Sequence, residues 1–558
     1  MKYSTKVCCL SLIFYSFCFT SNSDELSREK FALSDFFNGT TISLIKTLIK
    51  ELYPPAQSLI PIVVQTNVQL CKEEKRFLQY RLPFVQKNLQ QYFNINQPLR
   101  IGFCCSGGGN RAMIGTLGLL TGAAKSHILD ATLYLAGLSG STWLLSQFSY
   151  LAATSYKKKK FEEILADIKK SYSIMLHDYS MLHAHGIYAP PLISFESADD
   201  VCLEIAKRFA YEQPLTLVNL FGALVGDYAL SLMGNDRLSE KWSAMIPSVQ
   251  KGLIPLPLCS AAFEKTPNNY GWFEMSPLQC GSKELGYIPV QYLGSPFYEG
   301  QLQADNACPE YPLSFFLGMY GSAFAATVQD IAKIQKKLHK NITLLKEYDT
   351  ENEDVFFAQR NILNNHLIHG IVQDTIKDLI ASRNTLTYAQ FPNYSRSMQS
   401  SVLKNNDLLG LFDAGIAFDL PLPLLIDRPE RHLDVIFLYG SFPGKKNVLQ
   451  ALEAYCYKEG VAFPDLSMIS DVDLQEDDMT ILNDPSAFDY DVAIPTYIYF
   501  PTNNISLYTP PYITLNFKYT AQEVDALSGK METIFLENLD KIQEVLTLVA
   551  QKRYEKIA

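Results

Sequence analysis

The sequence predicts an α/β fold built on a central, mostly parallel sheet flanked by helices. Three observations carry this reading. Two strand–tight turn–helix units follow one another between residues 100 and 142, and such units build parallel sheets because each helix brings the chain back to start the next strand. A further strand-like run, Leu433 to Leu438, returns the chain to the sheet much later. No internal repeat or low-complexity linker divides the sequence.

The elements follow from local pattern. Arg100-Ile101-Gly102-Phe103-Cys104-Cys105 reads as a short buried strand, Ser106 to Gly109 as a glycine loop, and Arg111 to about Ser126 as a helix with small side chains on one face. Thr132 to Ala136 is the second strand. It leads into Gly137-Leu138-Ser139-Gly140-Ser141 and a helix that begins near Thr142. Ile42 to Leu52 is amphipathic. Helices are expected at 160–175, 198–210 and 215–233 within an otherwise mixed stretch, and residues 322–385 read as helical and charged. The acidic segment from Ser470 to Pro485 reads as a surface loop, and Ala521 to Ala558 as a long helical closure.

Hydrophobic residues make up 47% of the 558 positions and charged ones 19%, enough to bury a large core. One elaborated domain over residues 24–558 is expected. The net charge of −10 argues against general nucleic-acid binding, which draws most of its affinity from a basic surface. At the N-terminus, Lys2 and Lys6 precede an apolar run from Val7 to Thr20 and the small polar stretch Ser21-Asn22-Ser23. That is the pattern of a signal peptide over residues 1–23, and it predicts a secreted or periplasmic protein. The run is too short to span a bilayer, which takes about 20 apolar residues. Eight cysteines lie beyond it, with no spacing suited to zinc or redox work; several sit in apolar surroundings and read as small core residues.

The chemistry concentrates in three places. Gly137-Leu138-Ser139-Gly140-Ser141 nearly matches the nucleophile elbow G-x-S-x-G, with Ser141 in place of the last glycine; the same pentapeptide also fits a small-residue turn without chemistry. Gly107-Gly108-Gly109 joins a strand to a helix, where successive amides can bind an oxyanion. A Walker loop would end in Gly-Lys-Ser/Thr, but Asn110-Arg111-Ala112 follows, and the G-x-G-x-x-G spacing is also absent. Arg111 is placed to hold an anionic group or a surface ion pair. A serine nucleophile needs a base. None of the eight histidines stands in a triad pattern. Asp413, within Leu411-Phe412-Asp413-Ala414-Gly415-Ile416, lies in an apolar stretch where burial raises a carboxyl pKa towards a useful base; a turn aspartate bonding local backbone is the plainer reading.

These motifs together resemble a known family. Ser106-Gly107-Gly108-Gly109-Asn110-Arg111-Ala112-Met113, then Gly137-Leu138-Ser139-Gly140-Ser141-Thr142-Trp143, then Asp413-Ala414-Gly415 with Leu420-Pro421-Leu422-Pro423, look like the catalytic domain of the cytosolic (group IV) phospholipase A2 family. That family is related to fungal phospholipase B and, more distantly, to patatins. Trp272 to Pro277, Gly321 to Phe324 and Asn516 to Tyr519 add matches, in order, from about residue 75 to the C-terminus. The resemblance implies a Ser–Asp dyad without histidine: Ser139 as nucleophile, Asp413 as base, the Gly108 and Gly109 amides as oxyanion hole, and Arg111 on the phosphate or second carboxyl group. It implies a lid inserted within about 180–400, over an apolar acyl funnel, and no metal or other cofactor. Asp419 and Ala414 depart from the family, which commonly has Asn at the first position and Ser or Gly at the second. About 80 residues between leader and glycine loop leave no room for a calcium-dependent C2 domain.

The function expected is therefore hydrolysis of fatty-acyl esters of phospholipids or lysophospholipids through an acyl-serine intermediate. The partner expected is a phospholipid membrane or micelle surface, touched peripherally, with Lys157 to Lys160 as a candidate contact; no protein partner is inferable. Two other readings stay open: a Ser139–Asp413–His432 triad of the ordinary α/β-hydrolase type, and a catalytically inactive lipid-binding protein on the same scaffold.

Overall fold

A computed structural model describes residues 39–56, 58, 61–155, 159–178, 195–323, 388–467, 469–505, 511–514 and 516–554. In chain order the principal elements begin with helices α1 (Gly39–Leu52) and α2 (Lys72–Phe93), then strand β1 (Ile101–Cys105), α3 (Gly109–Lys125), β2 (Thr132–Gly137) and α4 (Gly140–Ser155). Helices α5 (Phe161–Asp178), α6 (Phe195–Ala210) and α7 (Leu217–Ala229) follow. Next come the strands β3 (Leu256–Thr266), β4 (Asn269–Met275), β5 (Cys280–Ser282) and β6 (Gly286–Ile288), and helix α8 (Leu313–Tyr320). The last part holds β7 (Ala389–Pro392), β8 (Leu408–Leu411), β9 (Val435–Gly440), α9 (Lys446–Glu459), β10 (Thr480–Leu482), β11 (Thr496–Pro501), α10 (Ala521–Glu537) and α11 (Leu539–Tyr554).

Nine strands form one sheet in the order β10-β11-β9-β1-β2-β3-β4-β5-β6. The five central strands, β11-β9-β1-β2-β3, run parallel, and β10 on one side and β4 to β6 on the other are antiparallel additions. Every residue of β1, β2, β9 and β11 is buried, as expected where helices cover both faces of a parallel sheet. The predicted fold class holds.

Helix α3 is buried along sixteen residues, Gly109 to Ala124, and its run of small residues explains how. A Cβ on Gly118 would lie 2.1 Å from the Ser528 carbonyl oxygen of α10, so the two helices meet backbone to backbone there. A side chain at Gly118 would push α10 away and lift α3 from its place behind the glycine loop.

The four strands β3 to β6 were not individually legible in a stretch read as mixed. The acidic segment expected as a loop also holds a short helix, Asp471–Glu476, and the edge strand β10. The helix starts on a reciprocal cap between Ser470 and Asp473, and the strand exists through its pairing with β11. The C-terminal closure is two helices, not one, with the first ending at Glu537 and capped by Asn538. Residues 179–194 and 324–387, within the span where the lid is expected, lie outside the described residues, as does the leader. No helix among the described residues is long and apolar enough to cross a membrane.

Candidate active site

The three predicted motifs converge at the C-terminal ends of the parallel strands, where ligands of α/β sheets usually bind. β2 ends at Gly137, Leu138 donates its N–H to the Cys105 carbonyl at the end of β1, and α4 begins at Gly140. Ser139 sits at the tip of this turn with φ 49°, a left-handed conformation uncommon for a side-chain-bearing residue and in keeping with a nucleophile elbow. The Ser141 and Thr142 N–H groups close the turn onto the Leu138 and Ser139 carbonyls.

Asp413 reaches the site through the sheet. β3 runs past the end of β2, whose Gly137 pairs with Cys259, and its extension pairs at Ala262 with Phe412 through two hydrogen bonds of 2.8 and 3.0 Å. Asp413 therefore hangs over the end of the strand beside Ser139. The Ser139 Oγ donates to Asp413 Oδ2 at 2.8 Å. Oδ1 accepts from the Gly415 N–H at 2.7 Å, and the Asp413 N–H donates to Ser322 Oγ at 3.2 Å. Burial pushes the Asp413 carboxyl up to about 7, against the lowering pull of hydrogen bonds from the Gly415 backbone, Ser139 and the Ala323 backbone. A carboxyl that titrates there is about half ionised at neutral pH, and its carboxylate is basic enough to take a proton.

The glycine loop packs directly on the elbow. A Cβ on Gly107 would lie 2.5 Å from Leu138 Cδ2 and 2.9 Å from Ser139 Cβ. Gly108, at φ 135°, and Gly109, at φ 60°, hold conformations that favour glycine, and Gly109 opens α3. The helix amides that lack intrahelical partners thus open beside Ser139. Arg111, on the first turn of α3, is buried; it donates to the Tyr512 carbonyl at 2.7 Å and to Thr514 Oγ1 at 3.4 Å, and its Nη2 would lie 2.7 Å from a Cβ on Gly108. Of the lysine run, Lys159 and Lys160 are exposed, with Lys159 paired to Asp167; Lys157 and Lys158 lie outside the described residues.

Some residues of the site were not singled out by sequence. Ser141 Oγ donates to the Ser106 carbonyl at 2.5 Å and meets Thr116 Oγ1 at 2.8 Å, so the residue that breaks the elbow pattern ties the elbow to the glycine loop and α3. Ser322 holds the Asp413 backbone; the only signal for it was its place in the Gly321–Phe324 block. Ser441, directly after β9, bonds the loop from the other side.

His432 does not join the group. It is exposed, and it precedes β9, whereas the site lies beyond the far end of that strand. The strand's six residues span about 20 Å.

Residues 101–441 match the family model of the lysophospholipase catalytic domain. Among curated proteins, the chain is 24% identical to mouse cytosolic phospholipase A2 epsilon, over 88% of this chain and 60% of that protein. It is 25% identical to human cytosolic phospholipase A2 zeta, over 88% and 62%. It thus spans about 60% of the length of these relatives. Human GIVD cytosolic phospholipase A2 superposes with a TM-score of 0.67 at 20% identity, covering 88% of this chain and 69% of that one. These relatives correct one expectation. They are named cytosolic, which overturns a secreted or periplasmic location, and the leader on which that rested lies outside the described residues. Seven cysteines with described side chains are free thiols, six of them buried.

Proposed function

Because this chain belongs to the lysophospholipase catalytic domain family, we propose that it is a serine lipid-acyl hydrolase acting on fatty-acyl esters of phospholipids or lysophospholipids. The observation that carries the reading is the 2.8 Å hydrogen bond from Ser139 Oγ to Asp413 Oδ2, made without an intervening imidazole. Asp413 takes the hydroxyl proton as Oγ attacks the ester carbonyl, and the oxyanion forms against the Gly108 and Gly109 amides. The proton then passes from Asp413 to the departing alkoxide, leaving an acyl-serine. Asp413, ionised again, deprotonates a water that attacks the acyl carbon, and fatty acid leaves as Ser139 regains its proton. Arg111, beside the loop, bears the positive charge that steadies the lipid phosphate or second carboxyl. The substrate is met at a membrane or micelle surface.

The triad reading loses support from the position of His432 and from Asp413, whose carboxylate already bonds Ser139 directly. The test is fatty-acid release from mixed phosphatidylcholine and lysophosphatidylcholine vesicles in EDTA, for wild type, Ser139→Ala, Asp413→Ala and His432→Ala. Release by wild type and His432→Ala, lost in the other two, is expected. A wild type that binds vesicles and releases nothing sinks the hydrolase reading in favour of a lipid-binding scaffold.

A further inference from the structure

We propose that Ser441 is a positioning residue of the oxyanion hole, one that turns the Gly108 N–H towards Ser139 by holding the Gly107 carbonyl on the opposite side. The inference rests on the Ser139–Asp413 reading above and deepens it. β1 lies between β2 and β9 in the sheet. The glycine loop leaves the end of β1, Ser139 follows β2, and Ser441 follows β9, so the loop is flanked by the nucleophile on one side and Ser441 on the other. Ser441 is fully buried, and its Oγ donates to the Gly107 carbonyl. Its own N–H donates to Ser106 Oγ at 2.7 Å, and the Ser106 N–H donates back to the Tyr439 carbonyl at 3.0 Å, so the serine is itself fixed to the loop.

In a trans peptide the carbonyl and the following N–H point in opposite directions. Holding the Gly107 carbonyl towards β9 therefore aims the Gly108 N–H towards β2 and Ser139. The preceding peptide is turned the other way: the Ser106 carbonyl accepts from Ser141 on the β2 side, which aims the Gly107 N–H away from the nucleophile. The next peptide is set by α3, whose Ala112 N–H donates to the Gly108 carbonyl at 3.4 Å, leaving the Gly109 N–H at the open end of the helix. The Gly108 N–H makes no hydrogen bond to any described residue. The φ of 135° at Gly108 allows many orientations of that peptide, and glycine carries no side chain to restrict them. The Ser441 hydroxyl supplies the restriction, and a Cβ on Gly108 would lie 2.6 Å from it.

The test measures kcat and KM on a short-chain p-nitrophenyl ester and on lysophosphatidylcholine for wild type, Ser441→Ala and Ser441→Thr, with Ser139→Ala as blank. Loss of a whole oxyanion donor costs about 100- to 1000-fold in kcat, so misorienting one is expected to cost about 10- to 100-fold. The expected result is that fall in kcat for Ser441→Ala on both substrates, with KM within about twofold of wild type and kcat recovered by Ser441→Thr. A Ser441→Ala enzyme with kcat within twofold of wild type overturns the proposal, as does a loss confined to KM or one that threonine does not recover. Should alanine prevent folding, Ser441→Cys, near in size and a weaker donor, takes its place under the same criteria. If wild type itself shows no hydrolysis above the Ser139→Ala blank, the underlying hydrolase reading has failed; if wild type is active and Ser441→Ala is unchanged, only the positioning role has.

Discussion

Gly140 packs against the carbonyl of Gly109 so closely that a Cβ at Gly140 would lie 1.9 Å from the Gly109 oxygen. The first residue of one helix thus touches the first residue of the other, and the two strand–turn–helix units are locked together at their turns. The contact sets the distance between Ser139 and the glycine loop. Gly140→Ala is expected to force them apart, at an overpacking cost of about 1–3 kcal/mol and with kcat lowered by about 100-fold or more. Denaturant melts and steady-state kinetics on one preparation separate the two effects.

The buried carboxyl predicts the pH profile. A carboxyl serves as a base only when ionised, and burial moves the Asp413 titration to about 7. The rate constant kcat/KM is expected to rise with pH to a midpoint near neutrality, so that pH 5 runs about 100-fold below the plateau. A profile flat from pH 5 to 8 on a soluble ester contradicts the assignment of the base.

The same shift has a signature in stability. The folded-state pKa of Asp413 lies above its unfolded value of 3.8, so the folded chain holds the proton more tightly. This group therefore lowers stability progressively as pH rises from about 4 to about 7, by about 4 kcal/mol in all. Asp413→Asn cannot ionise. Relative to wild type it is expected to gain stability between pH 4 and pH 8, while losing activity. Urea melts of both proteins at the two pH values check the sign.

Buried charge elsewhere supports the fold without touching the chemistry. Arg431, fully buried, donates to Glu74 at 2.8 Å and to both carboxylate oxygens of Glu274 at 2.7 Å, with Arg428 alongside. This cluster joins α2, β4 and the approach to β9, with the Arg431 guanidinium also over the Tyr134 ring of β2. Arg431→Met leaves the two carboxylates with only Arg428 for compensation, and the expected loss is about 3–5 kcal/mol. The kcat of the folded fraction is expected to stay within about threefold of wild type.

How far the sequence carried depends on how local each feature is. The two turn units could be read because strand, turn and helix signals lie within about forty residues of one another, and small residues mark the turns. Asp413 stood out through its apolar setting and the family resemblance. Its partner lies 274 positions away, and nothing local reveals the β3 extension that brings it in. β3 itself was missed because Ala261 and Ala262 are weak strand formers and eight consecutive buried residues give no alternation. β10 owes its existence to pairing inside an acidic segment. Ser441 meets Gly107 across 334 positions, and a single serine after a strand has no pattern to announce it.

The central claim is that Ser139 is the nucleophile and that Asp413 alone activates it. Intact-mass and peptide mass spectrometry after brief exposure to a long-chain alkyl fluorophosphonate tests this most directly, because the serine oxygen forms its bond to phosphorus as fluoride leaves. One adduct is expected on the Ser139 peptide, at equal rates in wild type and His432→Ala, at least 100-fold slower in Asp413→Asn, and absent in Ser139→Ala. An adduct on another residue, or a His432→Ala protein as unreactive as Asp413→Asn, would contradict it.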